Sequence, residues 1–162
     1  MGKMQGKVAL VTGGAEGIGA TVGRMIVAEG GEVMLADIQI DKAQALADEL
    51  GENAEALKLD VRELDQWHAA VKATHERFGK LTVLCNIAGI SEAGNVVDVD
   101  LDSWRRTIDI NLEGPFYGMR AAIPAMEASG EKCAIVNIGS MIALRAAAFV
   151  ASYSASKGTL EP

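Results

Sequence analysis

Tyr153 and Lys157 stand four residues apart in Tyr153-Ser154-Ala155-Ser156-Lys157. On a helix that spacing puts both side chains on one face, so they can serve one site. A free tyrosine has a pKa of about 10, too high for a base at neutral pH. A neighbouring ammonium favours the phenolate and fits the hydroxyl for general acid–base work on an alcohol or ketone oxygen. Ser140 follows the apolar run 134–138; from the carboxyl end of a strand its hydroxyl can bond the same oxygen. Asn111 precedes Pro115 by four residues. Proline has no N–H, so in a helix the Asn111 carbonyl loses its partner and can hold a water. Plainer readings stand beside these: a surface Tyr–Lys pair, Ser140 as a cap, and an ordinary proline kink eased by Gly114.

The elements that must position these groups are written in the hydrophobic pattern. Short apolar runs at 8–11, 33–36, 56–59, 81–86 and 134–138 read as strands. Segments of helical period lie between them, at 18–29, 41–50, 62–78 and 102–128. Strict alternation of strand and helix implies α/β architecture, a Rossmann-type doubly wound parallel sheet with helices on both faces. The unbroken apolarity of KVALVTG and KCAIVNIGS is that of strands covered on both sides. With 162 residues and no repeat or linker, one domain is expected, burying roughly 68–70% of its unfolded surface.

The first strand runs into Thr12-Gly13-Gly14-Ala15-Glu16-Gly17-Ile18-Gly19 and then a helix. Glycines allow a tight turn and close approach of a diphosphate, which the helix N-terminus attracts. On its own this G-x-x-x-G-x-G loop could be a plain strand-to-helix connection. Asp37 changes that reading, because it ends the second strand where an adenosine ribose would lie and its carboxylate can accept from both hydroxyls. It also repels a 2′-phosphate, and Glu16 adds a second negative charge in the loop. NAD is therefore expected over NADP. Asp41 is expected to cap the helix that follows.

The remaining chemistry-bearing residues point elsewhere. A net charge of −7 without a basic cluster argues against a nucleic-acid or anionic-membrane partner. The N-terminus is too polar for a signal peptide, and Gly6 stands where a myristoylation signal needs Ser or Thr. No apolar run reaches membrane-spanning length. Cys85 and Cys133 match no metal spacing and are expected to be buried thiols, consistent with a reducing cytoplasm. His68 and His75 read as a solvated helix face, so no metal site is expected. Trp67 and Trp104 should pack against the sheet, and Met25, Met34, Met119 and Met126 fall at core-like positions.

Taken in order, TGGAEGIG, Asp37, Asp60-Val61, Asn86-Ile87-Ala88-Gly89, Asn111, Ser140 and Tyr153 with Lys157 resemble the classical short-chain dehydrogenase/reductase family along nearly the whole chain. Ile87 departs from it, since the family usually has a second Asn there. The resemblance implies cofactor contacts at Gly13, Gly17, Ile18, Gly19 and Asp37, with Asp60 and Val61 on the adenine. It also places Asn86, Ala88 and Gly89 along the cofactor at the central sheet edge. Asn111, Ser140, Tyr153 and Lys157 would form the catalytic tetrad. In it Tyr153 takes the alcohol proton as hydride leaves for the nicotinamide, Lys157 also binds the nicotinamide ribose, and Asn111 links Lys157 to solvent through water.

The implied function is NAD-dependent oxidation of a secondary alcohol of the cyclic or hydroxysteroid type, by a homo-oligomeric cytoplasmic enzyme. A 3-oxoacyl reductase is one alternative. A catalytically inactive fragment or nucleotide-binding module is another, because the family continues past Lys157 with further strands and a substrate lid. On that reading the domain spans 1–162 but lacks those parts, its helix from 151 runs on to Pro162, and the fifth strand is an exposed apolar edge. The 162-residue chain by itself is then expected to be inactive and prone to association.

Overall fold

The computed structural model describes residues 2–158. It contains five strands: β1 (Val8–Thr12), β2 (Glu32–Asp37), β3 (Ala54–Lys58), β4 (Val83–Asn86) and β5 (Ala134–Asn137). They form one parallel sheet in the order β3-β2-β1-β4-β5. The chain turns from β1 outward to β2 and β3, then returns to the other side of β1 for β4. That reversal opens a crevice at the carboxyl ends of β1 and β4.

Helices α1 (Gly17–Ala28) and α2 (Ile40–Leu50) cover one face, and α3 (Leu64–Phe78) and α5 (Gly114–Ala128) cover the other. The period of two in β1 sorts the two cores. Leu10 joins Trp67, Leu84 and Ala122, while Ala9 and Val11 join Ile26, Leu35 and Leu46. Every residue of β1 is buried, which is why its sequence is apolar without alternation. Trp67 is wholly buried and its Nε1 donates to the Val61 carbonyl at 2.9 Å, which satisfies the indole N–H. Gly118 on α5 leaves room for it: a Cβ there would lie 2.6 Å from the Trp67 ring.

Several sequence expectations need correction. Segment 102–128 is helical throughout as expected, but not uniformly α: α4 (Leu101–Ile108) passes through a π turn (Asp109–Glu113) into α5. Pro115 falls where the π turn passes into α5, and the extra residue of that turn accommodates its missing N–H. β3 begins two residues early and stops before Leu59, because its alternation is only half-covered at the sheet edge. β5, by contrast, is the exposed apolar edge that the resemblance led one to expect, with Val136 45% exposed.

Met25 is 61% exposed rather than in the core, and Cys133 is exposed while Cys85 is buried. Met34 and Met126 are buried as expected, and Met119 packs partly buried against the core. Trp104 lies half-buried on α4, outside both cores. Asp41 does not cap α2: Gln39 holds the cap position, and Asp41 lies in the first turn. His68 and His75 are both exposed on α3. Among the described residues no helix is long and apolar enough to cross a membrane.

Candidate active site

The glycine loop leaves β1 at Thr12. Gly13 and Gly17 adopt φ of +67° and +58°, in the left-handed region open to glycine. A Cβ at Gly13 would come within 3.0 Å of the Ala88 nitrogen, so the loop packs directly on the segment after β4. Thr12 makes the joint: its Oγ1 accepts from the amides of Ile87 at 3.1 Å and Ala88 at 3.2 Å. A Cβ at Gly19 would stand 2.0 Å from the Gly13 carbonyl oxygen, so the first turn of α1 tolerates no side chain there.

Asp37 braces this loop from β2. Its Oδ2 accepts from Ala15 N at 3.0 Å and its Oδ1 from Gln39 N at 2.9 Å, and it is 8% exposed. A carboxylate oxygen has two acceptor positions, so each oxygen keeps one for another donor. The loop, Asp37 and the segments after β3 and β4 surround a cleft of about 540 Å³. Of the expected cofactor residues, Gly13, Ile18, Gly19, Asp37, Asp60, Val61, Ala88 and Gly89 line it. Gly17, Asn86, Tyr153 and Lys157, also expected at the cofactor, do not. Gly17 opens α1, and Asn86 is buried, donating through Nδ2 to Asn137 Oδ1 at 2.8 Å.

The charges around the cleft are paired in ways the sequence does not show. Asp60 is clamped by Arg62, with Nη2 to Oδ2 at 2.5 Å, and the guanidinium holds its carboxyl below the usual value. Glu16 pairs with Lys42 at 2.8 Å, so its charge does not stand alone in the loop as expected.

Tyr153 and Lys157 lie on α6 (Ala151–Gly158); the expected continuation of this helix to Pro162 lies outside the described residues. Lys157 Nζ is 5.9 Å from the centroid of the Tyr153 ring, so the four-residue spacing does bring the two together. Lys157 is 5% exposed, and its ammonium donates to the Ile138 carbonyl at 2.7 Å. Burial pushes it below the ordinary lysine value. Its tether, Ile138, lies just past β5 and two residues before Ser140, so one lysine links α6 to the segment carrying the serine. Ser140 Oγ accepts from Ile142 N at 3.3 Å as the cap of a 3₁₀ turn, the plainer of its two readings, and retains an O–H to donate.

Asn111, in the π turn, is fully buried and acts through its side chain. Oδ1 accepts from Ile90 N at 2.9 Å, and Nδ2 donates to Ile90 O at 2.8 Å and Ser156 Oγ at 3.1 Å. Ser156 in turn donates to the Tyr153 carbonyl at 2.9 Å. Asn111 therefore ties the loop after β4 to the helix bearing Tyr153 and Lys157. Among the described residues no hydrogen bond joins Ser140 to Tyr153 or Asn111 to Lys157.

The short chain dehydrogenase family profile matches residues 7–161, through the loop, Asp37 and α6 alike. The chain belongs to the short chain dehydrogenase family. Among curated relatives, trans-4-hydroxycyclohexanecarboxylate dehydrogenase of Sinomonas cyclohexanicum is 44% identical over 93% of this chain and 61% of its own. The 3-alpha-(or 20-beta)-hydroxysteroid dehydrogenase of Mycobacterium tuberculosis is 42% identical over 96% of this chain and 60% of its own. The crystal structure of a glucose/ribitol dehydrogenase of the same family from Brucella melitensis superposes with a TM-score of 0.90. It is 33% identical and covers 96% of this chain and 65% of that one. The chain thus spans about three fifths of the length of the curated relatives it matches.

Sequence reasoning missed three residues that shape this site. Thr12 ends β1 and carried a signal, since a hydroxyl at a strand's carboxyl end can take neighbouring amides. Ser156 lies three residues after Tyr153, spaced to meet its helix carbonyl. Lys42 gave no signal, because its partner is 26 residues away.

Proposed function

We propose that this chain supplies the cofactor cleft and the proton-transfer residues of an NAD-dependent dehydrogenase. Its substrate would be a secondary alcohol of the cyclic or hydroxysteroid type, interconverted with the ketone. The observation that carries the NAD assignment is Asp37, which lines the cleft with one acceptor position unused on each carboxylate oxygen and is followed by the uncharged Ile38 and Gln39. Two vicinal ribose hydroxyls match two such positions, whereas a 2′-phosphate would meet a carboxylate. The glycine loop suits a diphosphate because it delivers the N-terminus of α1 to the cleft, where Ile18 and Gly19 line the wall and the helix end attracts an anion. The names of the relatives support the substrate class.

A bound nicotinamide supplies the carbon that accepts or returns hydride. The chain's own residues handle the proton. Tyr153 Oη takes the proton of the substrate hydroxyl as the carbonyl forms, and in reverse protonates the alkoxide oxygen. The Lys157 ammonium beside its ring stabilises negative charge on the phenolic oxygen. Ser140, with its lone pair engaged by Ile142 N, directs its O–H to the same substrate oxygen. Asn111 and Ser156 hold α6 in place rather than touching the reacting atoms. Copies of the chain would pair through α5, where Phe116 and Ile123 are exposed, in a cytoplasmic oligomer.

The test is steady-state oxidation of cyclic secondary alcohols and hydroxysteroids with NAD, on the 162-residue chain and on any longer form of the protein. In whichever form turns over, Tyr153→Phe lowers kcat at least about 100-fold, with NADH affinity held within about twofold. Undiminished turnover would assign the proton to another group, and no oxidation in any form would refute the substrate class.

A further inference from the structure

Two carboxylates stand on one wall at the ribose end of the cleft. Glu16 and Asp37 both line it, and Ala15, next to Glu16, donates its amide to Asp37 Oδ2 at 3.0 Å. The two are held differently. Asp37 is almost buried and bound by backbone amides. Glu16 is exposed, and its Oε2 meets Lys42 Nζ, which reaches back from the first turn of α2, at 2.8 Å. Lys42 first, and then the side chain of Gln39, hold the Glu16 carboxyl below its ordinary range, so it is ionised at neutral pH.

An ion pair acts on its surroundings as a dipole, so simple repulsion from Glu16 is largely cancelled by its partner. Lys42 is nonetheless what a phosphate seeks, a compact ammonium on a flexible stem. Resting on the reading of this cleft as an NAD site, we propose that Glu16 disfavours a 2′-phosphorylated cofactor by keeping Lys42 engaged. Lys42 is thus a masked phosphate ligand. A 2′-phosphate entering the parent protein must displace Glu16 from Lys42, which exchanges one anionic partner for another with no gain in pairing. With a neutral glutamine at position 16 the ammonium is released, and a phosphate of about −1.5 to −2 charge becomes its better partner.

The test uses calorimetry with two probes that differ only in the 2′-phosphate, 5′-AMP and adenosine 2′,5′-bisphosphate. Four proteins are compared: the parent, Glu16→Gln, Lys42→Met and the double variant. Both positions are exposed, so the variants retain the fold, which thermal melts verify. Glu16→Gln is expected to tighten the bisphosphate about fivefold, the scale of one exposed charge pair, and to leave 5′-AMP within about twofold. In the double variant the gain disappears, which gives a coupled cycle. If the gain survives without Lys42, or never appears, the masking proposal is overturned while binding of 5′-AMP keeps the NAD reading intact. If 5′-AMP and NADH bind none of the proteins, the NAD reading falls and the proposal with it.

Discussion

Asn111→Ala removes three hydrogen bonds at once, two of them to Ile90 in the cleft wall. It leaves the Ile90 amide and carbonyl unpaired and takes one donor from Ser156 Oγ, which keeps the Tyr153 carbonyl as its own acceptor. Unsatisfied buried groups cost about 1–3 kcal/mol each. Ile90 is only partly buried, which favours the low end for its two groups. Truncating a wholly buried side chain adds a small cavity. The sum is about 3 kcal/mol. For a protein of this size that is roughly 6–12 °C in Tm, or a fall of about 1.5 M in the urea midpoint at an m-value near 2 kcal/mol/M. Fluorescence of the buried Trp67 follows the transition. Asn111→Asp should be no better at neutral pH, because it sets a second oxygen against the Ile90 carbonyl and buries a charge. A loss below about 1 kcal/mol in the alanine variant would show that the side chain does not tie the two segments together.

Two further predictions bear on other parts of the fold. Gly19→Ala places a Cβ 2.0 Å from the Gly13 carbonyl oxygen, a backbone atom that cannot swing away, so 5′-AMP binding measured by calorimetry should fall more than about tenfold; retained affinity would show that the loop can re-form around the methyl. Cys133 should react with a thiol reagent at neutral pH far faster than Cys85, because Cys133 is exposed while burial pushes the Cys85 thiol up to about 11; mass spectrometry of the labelled sites would contradict this if both were modified together.

Much of this arrangement could be read from residue type and spacing, and the exceptions have physical causes. Strands β1, β2 and β4 are legible because they are buried on both faces and their apolarity is unbroken. β5 carries the same pattern yet lies exposed at the sheet edge, which the family resemblance led one to expect but its own residues do not show, since apolarity records what could be covered rather than what is. The break at Pro115 was legible, but its form as a π turn was not, because that depends on how α4 and α5 must each pack. Tyr153 and Lys157 meet because four residues make one helical turn, a local rule. The bonds from Asn111 to Ile90 and Ser156, and from Glu16 to Lys42, join distant segments, which no local spacing encodes.

The most direct test of the account is the affinity of the protein for NADH against NADPH, measured by calorimetry in the parent and in Asp37→Ala. The cleft geometry predicts at least about tenfold tighter binding of NADH by the parent, and a narrower gap in the variant as the ribose loses its two acceptor positions and the phosphate its opposing charge. Equal affinities in the parent, or an unchanged gap in the variant, would contradict the assignment of this cleft to NAD.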